Sequence, residues 1–167
     1  FCTGKLKGDD YKTLWNKKAP SDAMNRIEMV TRSLLLCSEE KNILIDTGNG
    51  TKWEDKYKDI YNINTQKYNI EHSLARHGIT TNEITDIICT HLHFDHVGGN
   101  TKLESGKIVP TFPNANYWVT KENWELANHP SQKDSGSFME ENWKVLAENQ
   151  MIKIVNGAEK FIEGVDI

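Results

Sequence analysis

Residues 90 to 100 read THLHFDHVGGN and place three of the chain's six histidines, with one aspartate, inside six positions. In an extended segment alternate side chains share a face, so His91 and His93 can grip one cation together. Asp95 and His96 follow as neighbours and suit a second centre beside the first. Imidazole and carboxylate without thiolate favour zinc, iron or manganese over a soft metal. Gly98 and Gly99 let the backbone turn tightly past such a site. The spacing is not that of a helical H-E-x-x-H site, whose histidines lie four apart. Ordinary surface or core histidines are the bland alternative, and the alternation just before Gly-Gly weighs against it. Bound dications would lower the pKa of a water and polarise a carbonyl or phosphoryl oxygen, so the chemistry indicated is hydrolysis. Asp95 is a carboxylate that could also orient such a water.

These side chains need a strand to present them. EITDIICTH supplies one, since Ile87-Ile88-Cys89 is short, apolar and β-branched, as a buried strand should be. Upstream, IEMVTRSLLLC (residues 27 to 37) and ILID (43 to 46) flank the turn SEEKN and read as a hairpin. The second of these strands runs into Asp46-Thr47-Gly48-Asn49-Gly50, a sharp turn. Helices are expected over 52 to 61 and 69 to 77, the latter closed by Gly78. NYWVT (116 to 120) reads as a strand, 121 to 128 as a helix capped by Thr120, 137 to 149 as an amphipathic helix, and MIKIV (151 to 155) as a strand. The first 25 residues form an irregular lead-in with Trp15 as its apolar anchor. Strands alternate with helices, which makes the class α+β in layers.

THLHFDHVGG resembles the H-x-H-x-D-H signature of the metallo-β-lactamase superfamily, and ILIDTGNG resembles the strand and Asp-Thr-Gly turn that precede it there. Only the signature is highly specific, although the resemblance runs over about residues 27 to 155. It implies an αββα sandwich with a metal site at its edge. It further implies two divalent ions, zinc first and iron or manganese as alternatives, with His91 and His93 on one and Asp95 and His96 on the other. Asp46 matches the family's aspartate that supports ligating side chains from behind; a plain turn-forming aspartate is the competing reading. The family also has a third histidine, a bridging aspartate and a last histidine from later strand ends. After His96 this chain offers His129, Asp134 and Asp166, none in such a context. The expectation is therefore a single domain over residues 1 to 167 that is incomplete at its C-terminal end, an expectation to which Phe1 in place of Met and the strand-like stop FIEGVDI also lead.

His96 after Asp95 speaks against the β-lactamase subclass with a cysteine at its second metal. NRIEMVTRSLLL and FPNANYWVTKENWE look like segments of the quorum-quenching lactonase and organophosphate-hydrolase-like branch. The resemblance thus implies hydrolysis of a lactone or ester, such as an N-acyl homoserine lactone. A glyoxalase II-like thioester hydrolase is one alternative, and a non-catalytic metal-binding or scaffold protein is another. Phe112, Trp118 and Trp124 are aromatic options for an acyl pocket, with core packing the plainer role for each.

Composition agrees with a small-molecule enzyme. The 167 residues carry a net charge of −4, which leaves no basic footprint for nucleic acid or a membrane surface. No run approaches the ~20 apolar residues of a membrane span. Three cysteines are too few and scattered for a disulfide framework, and Cys37 and Cys89 read as small buried hydrophobes in a cytoplasmic protein. A homodimer is compatible with all of this.

Overall fold

The structure is a computed structural model that describes residues 16–67, 69–157, 160–162 and 165–166. Trp15, expected to anchor the lead-in, lies outside the described residues. Leu34–Cys37 (β1) and Asn42–Ile45 (β2) form the expected hairpin, antiparallel with Leu34 opposite Ile45 and Cys37 opposite Asn42. Helices α1 (Asp55–Tyr61) and α2 (Ile70–Ala75) follow, then strand β3 (Asp86–Ile88), which lies parallel to β2. After the short helix α3 (Phe94–Val97) come the hairpin β4 (Thr101–Glu104) and β5 (Lys107–Pro110), then β6 (Asn116–Thr120), α4 (Lys121–Asn128), α5 (Lys144–Glu148) and β7 (Ile152–Val155). Lys160–Ile162 (β8) and Val165–Asp166 (β9) pair with one another. The main sheet has the order β1-β2-β3-β6-β7 and is parallel except at β1.

Every residue of β3 is buried, which is why its sequence is uniformly apolar after Asp86. Leu44, Ile87 and Tyr117 stand in register across three strands and join a core completed by Leu92, Val97, Phe112 and Leu146. Asp86 is buried at the start of β3 and stays ionisable because Lys41 Nζ (2.8 Å), Trp118 Nε1 (2.8 Å) and Thr85 Oγ1 (2.8 Å) all donate to it. Burial pushes its pKa up, but those donors prevail and hold it below the usual value.

Three expectations are corrected. The strand expected over 27 to 37 pairs only from Leu34, because its partner β2 turns away at Asp46, whose φ of +56° is left-handed. Ile27, Met29 and Val30 are accordingly exposed. The helix expected over 137 to 149 is broken into a 3-10 turn at Glu140–Asn142 and α5. Thr101 Oγ1 takes the Glu141 carbonyl at 2.7 Å, an acceptor that a continuous helix would need for Val145. Cys37 is exposed at the end of the edge strand, whereas Cys89 is buried as expected.

The C-terminal ends of β2, β3 and β6 lie side by side. In an open parallel sheet this is the edge where ligands bind. β2 leads into the Asp46 turn, β3 into the histidine loop, and β6 into α4.

Candidate metal centre

The loop after Ile88 is held from three directions. Leu92 N donates to Asn123 Oδ1 of α4 at 3.2 Å. Thr47 N and Gly48 N both donate to the His96 carbonyl, at 2.7 and 3.0 Å, and Gly99 N donates back to the Gly48 carbonyl at 3.1 Å. Beneath them, Asn100 is wholly buried, accepts from Thr47 Oγ1 at 2.9 Å and donates to Cys89 Sγ at 3.6 Å. Burial in this layer pushes the Cys89 thiol up to about 12, so it is inert as a nucleophile or ligand near neutral pH. The two turns approach so closely that a Cβ on Gly98 would collide with the Asn49 carbonyl, and one on Gly50 with the Gly98 carbonyl.

His91, Asp95 and His96 offer donor atoms that all lie within 4.8 Å of one another. The His91 and His96 rings are 3.8 Å apart between centroids, and His96 Nε2 is 3.6 Å from Asp95 Oδ2. Although Asp95 and His96 are sequence neighbours, the helical turn of α3 lets them converge. His93, the residue capping α3, stands beside this trio, its ring 4.6 Å from that of His91 and 4.6 Å from that of Phe138. The structure therefore gathers four donors in one place, with His93 outside the tightest group.

Asp46 lies behind the donors. Its Oδ2 is 2.7 Å from His96 Nδ1 and accepts from Thr90 Oγ1 at 2.8 Å, while Oδ1 accepts from Thr90 N at 2.9 Å. With Nδ1–H donating to the carboxylate, His96 keeps its Nε2 lone pair on the side of Asp95. Burial pushes the His91 pKa down, helped by the neighbouring His96 and His93 against the pull of Asp46 and Asp95. Burial also lowers His93, opposed first by Asp95. Both shifts favour neutral imidazole, the form with a lone pair to give.

His129 ends α4 in an exposed position and Asp134 accepts from Ser131 Oγ at 2.7 Å; neither belongs to the converging group of His91, Asp95 and His96. The Asp166 side chain lies outside the described residues.

Next to Phe94 is a cavity of ≈ 340 Å³ with Trp53, Tyr57, Phe94 and Met139 in its wall, and none of the four donors lines it. Phe94, between His93 and Asp95 in the chain, packs edge-on against Trp53 with centroids 5.2 Å apart. The aromatic residues singled out from sequence lie elsewhere. Phe112 is fully buried in the core, Trp118 binds Asp86, and Trp124 packs on the core. Nothing in the local sequence around Trp53 or Met139 shows that distant segments meet there.

The metallo-beta-lactamase superfamily model matches residues 27–163. An N-acyl homoserine lactonase from a Bacillus species is 30% identical over 145 residues, covering 80% of this chain and 50% of that relative. A probable metal-dependent hydrolase from Staphylococcus aureus superposes with a TM-score of 0.78 at 23% identity, over 93% of this chain and 54% of the other. An N-acyl homoserine lactone hydrolase, solved with its product N-hexanoyl-L-homoserine at the catalytic metal centre, matches with a TM-score of 0.58 at 28% identity, over 79% of this chain and 50% of that one. The chain spans about half the length of the curated relatives it matches.

Proposed function

Because the chain belongs to the metallo-β-lactamase superfamily, we propose that it forms part of a metal-dependent hydrolase acting on a lactone or ester such as an N-acyl homoserine lactone. The observation that carries this reading is the convergence of His91, Asp95 and His96 while Asp46 occupies the far nitrogen of His96. Two imidazoles and a carboxylate, partly buried and close together, fit a borderline dication such as zinc, with iron or manganese as alternatives. His91 and His93 would hold one ion, and Asp95 and His96 a second. When bound, such ions supply Lewis acidity, activating water and polarising the carbonyl under attack.

The chain's own residues do the rest. Asp46 fixes the tautomer and orientation of His96, and Thr90 braces Asp46 through both its amide and its hydroxyl. Asp95 is positioned to accept a hydrogen bond from the attacking water and so orient it. The cavity behind Phe94 is at the small end of ligand sites, and Trp53, Tyr57, Phe94 and Met139 give one part of a mixed wall the apolar character that suits an acyl chain. The four donors are an incomplete set for two ions. We take residues 1 to 167 as part of one domain whose remaining donors come from outside the described residues.

Metal analysis of the full-length protein, followed by assay on N-acyl homoserine lactones with a His93→Ala control, tests this reading. The expected result is two ions per chain and lactone hydrolysis that His93→Ala reduces by at least a hundredfold. Predominant thioester cleavage would move the assignment to a glyoxalase II-like enzyme. Two bound ions without turnover of lactone, phosphotriester, thioester or β-lactam would leave a non-catalytic metal protein.

A further inference from the structure

The protein secures the three histidines of the donor loop unequally. His96 Nδ1 is held by Asp46 Oδ2 at 2.7 Å, and His91 Nδ1 lies 3.2 Å from Thr90 Oγ1. The backbone of His93 is fixed as the cap of α3, since its carbonyl accepts from His96 N at 3.0 Å and Val97 N at 3.1 Å. Its ring is held differently. Among the described residues no hydrogen bond reaches the His93 ring, and its ring partners are His91 and Phe138, each with centroids 4.6 Å away. A ligating histidine ordinarily gives its second nitrogen to a hydrogen-bond partner, which sets the orientation of the ring. At His93 the Phe138 ring stands where such a partner would act. The two planes meet at 72°, the edge-on arrangement that aromatic rings favour.

Phe138 is itself well anchored. It is 9% exposed, and Trp143, 2% exposed, packs edge-on against it with centroids 6.4 Å apart. Residues five apart do not face one another in a continuous helix. Phe138 and Trp143 meet because the segment is broken at Glu140–Asn142, where Thr101 takes the Glu141 carbonyl. We propose that Phe138 is a positioning residue for His93, its ring setting the angle at which that imidazole faces the ion shared with His91. This rests on the assignment of His91 and His93 to one ion. The two ions would then depend on different supports, an aromatic edge behind His93 for one and the Asp46 carboxylate behind His96 for the other. A ring contact restrains rotation of the imidazole but is weaker than a hydrogen bond to a carboxylate, so its loss should weaken binding less.

Full-length protein labelled with carbon-13 in histidine and phenylalanine gives the first reading, with no metal added. Nuclear Overhauser contacts between the His93 and Phe138 ring protons are expected, the His93 signals being assigned from their absence in His93→Ala. Competition with a chromophoric chelator gives the second. Phe138→Leu, apolar but without a ring, should weaken one ion about five- to tenfold and leave the other unchanged. Phe138→Tyr should restore wild-type affinity, which separates a role for the ring from simple filling of the core. Asp46→Ala should weaken the other ion. Phe138→Met replaces the leucine variant if that fails to fold, and the ring contact in the wild-type protein is read without either. Absence of that contact, equal weakening of both ions, or a loss that tyrosine does not restore overturns the proposal. The two readings fail separately. Two bound ions with the expected Phe138 response but no lactone turnover remove the proposed reaction and keep the positioning role. Lactone turnover by a protein whose Phe138→Leu variant binds both ions as tightly as wild type does the reverse.

Discussion

The donor loop and the cavity beside it share a wall at Phe94, yet they treat polar groups in opposite ways. Around the donors, Asp46 holds His96 and Thr90, and Asn100 ties Thr47 to Cys89. In residues that line the cavity, Asn49 Oδ1 and Asn142 Nδ2 are buried without a hydrogen-bond partner. The contrast shows what bracing is for. A site that must hold an ion at fixed angles braces its ligands from behind, since a loose ligand loses affinity. A buried polar atom left unpaired costs about 1–3 kcal/mol, a cost that the bracing on the donor side avoids.

The sharpest way to break the donor side is to push its two turns apart. Gly98→Ala adds a Cβ that meets the Asn49 carbonyl and carbon, both backbone atoms that cannot swing away. Overpacking of this kind costs about 1–3 kcal/mol and more against backbone, so a loss of about 3 kcal/mol is expected. Denaturant unfolding measures it. A loss under about 0.5 kcal/mol would mean that the turns are not interlocked.

Next in size is the brace itself. Asp46→Ala frees His96 Nδ1 and removes the acceptor of Thr90, while leaving every proposed donor in the chain. Removing such a partner lowers metal affinity about 10–100-fold. Competition with a chromophoric chelator reads this directly. Affinity unchanged by Asp46→Ala would reduce Asp46 to a turn residue, and Asp46→Asn should recover part of the loss if position matters more than charge.

The same contrast governs what could be read from sequence. The cluster of candidate donors was legible because one loop after one buried strand supplies them at short spacing. Its grouping was not, since His91 converges with Asp95 and His96 while His93 stands outside. Asp46 was legible through the apolar strand that ends in Asp-Thr-Gly. Helix 121–128 and strand 116–120 emerged with the expected limits because Thr120 is a local stop signal for one and a start signal for the other. The cavity was not legible. It joins Asn49 to Tyr57 with Phe94 and with Met139 to Asn142, and the last of these lies in a segment whose periodicity reads as continuous helix. Only the hydroxyl of Thr101, distant in sequence, takes the Glu141 carbonyl and breaks that helix. Tertiary competition for one backbone acceptor thus builds the wall in which Asn142 sits.

The smallest effect belongs to Lys52, which stands between the two regions. Its ammonium crosses from the cavity wall to the Gly98 and Thr101 carbonyls, so it ties the donor turn to the chain that carries Trp53. Burial pushes its pKa down from 10.5 to about 8, against the stabilising pull of Glu141. Below about pH 8 the lysine is protonated in both folded and unfolded chains, and the folded state bears the full cost of the buried charge. Between about 8 and 10.5 the unfolded chain binds more protons than the folded one, so stability should rise with pH across that window. Because the side chain is only half-buried, solvent screening reduces the gain to about 1 kcal/mol. Lys52→Met should flatten this part of the profile while lowering stability at every pH, because two carbonyls lose their donor. Urea unfolding of both proteins at pH 7.5 and 10 measures the difference between the two slopes. Parallel profiles for the lysine and methionine proteins would show that the charge is solvated, and that the donor turn and the cavity wall are held together by packing alone.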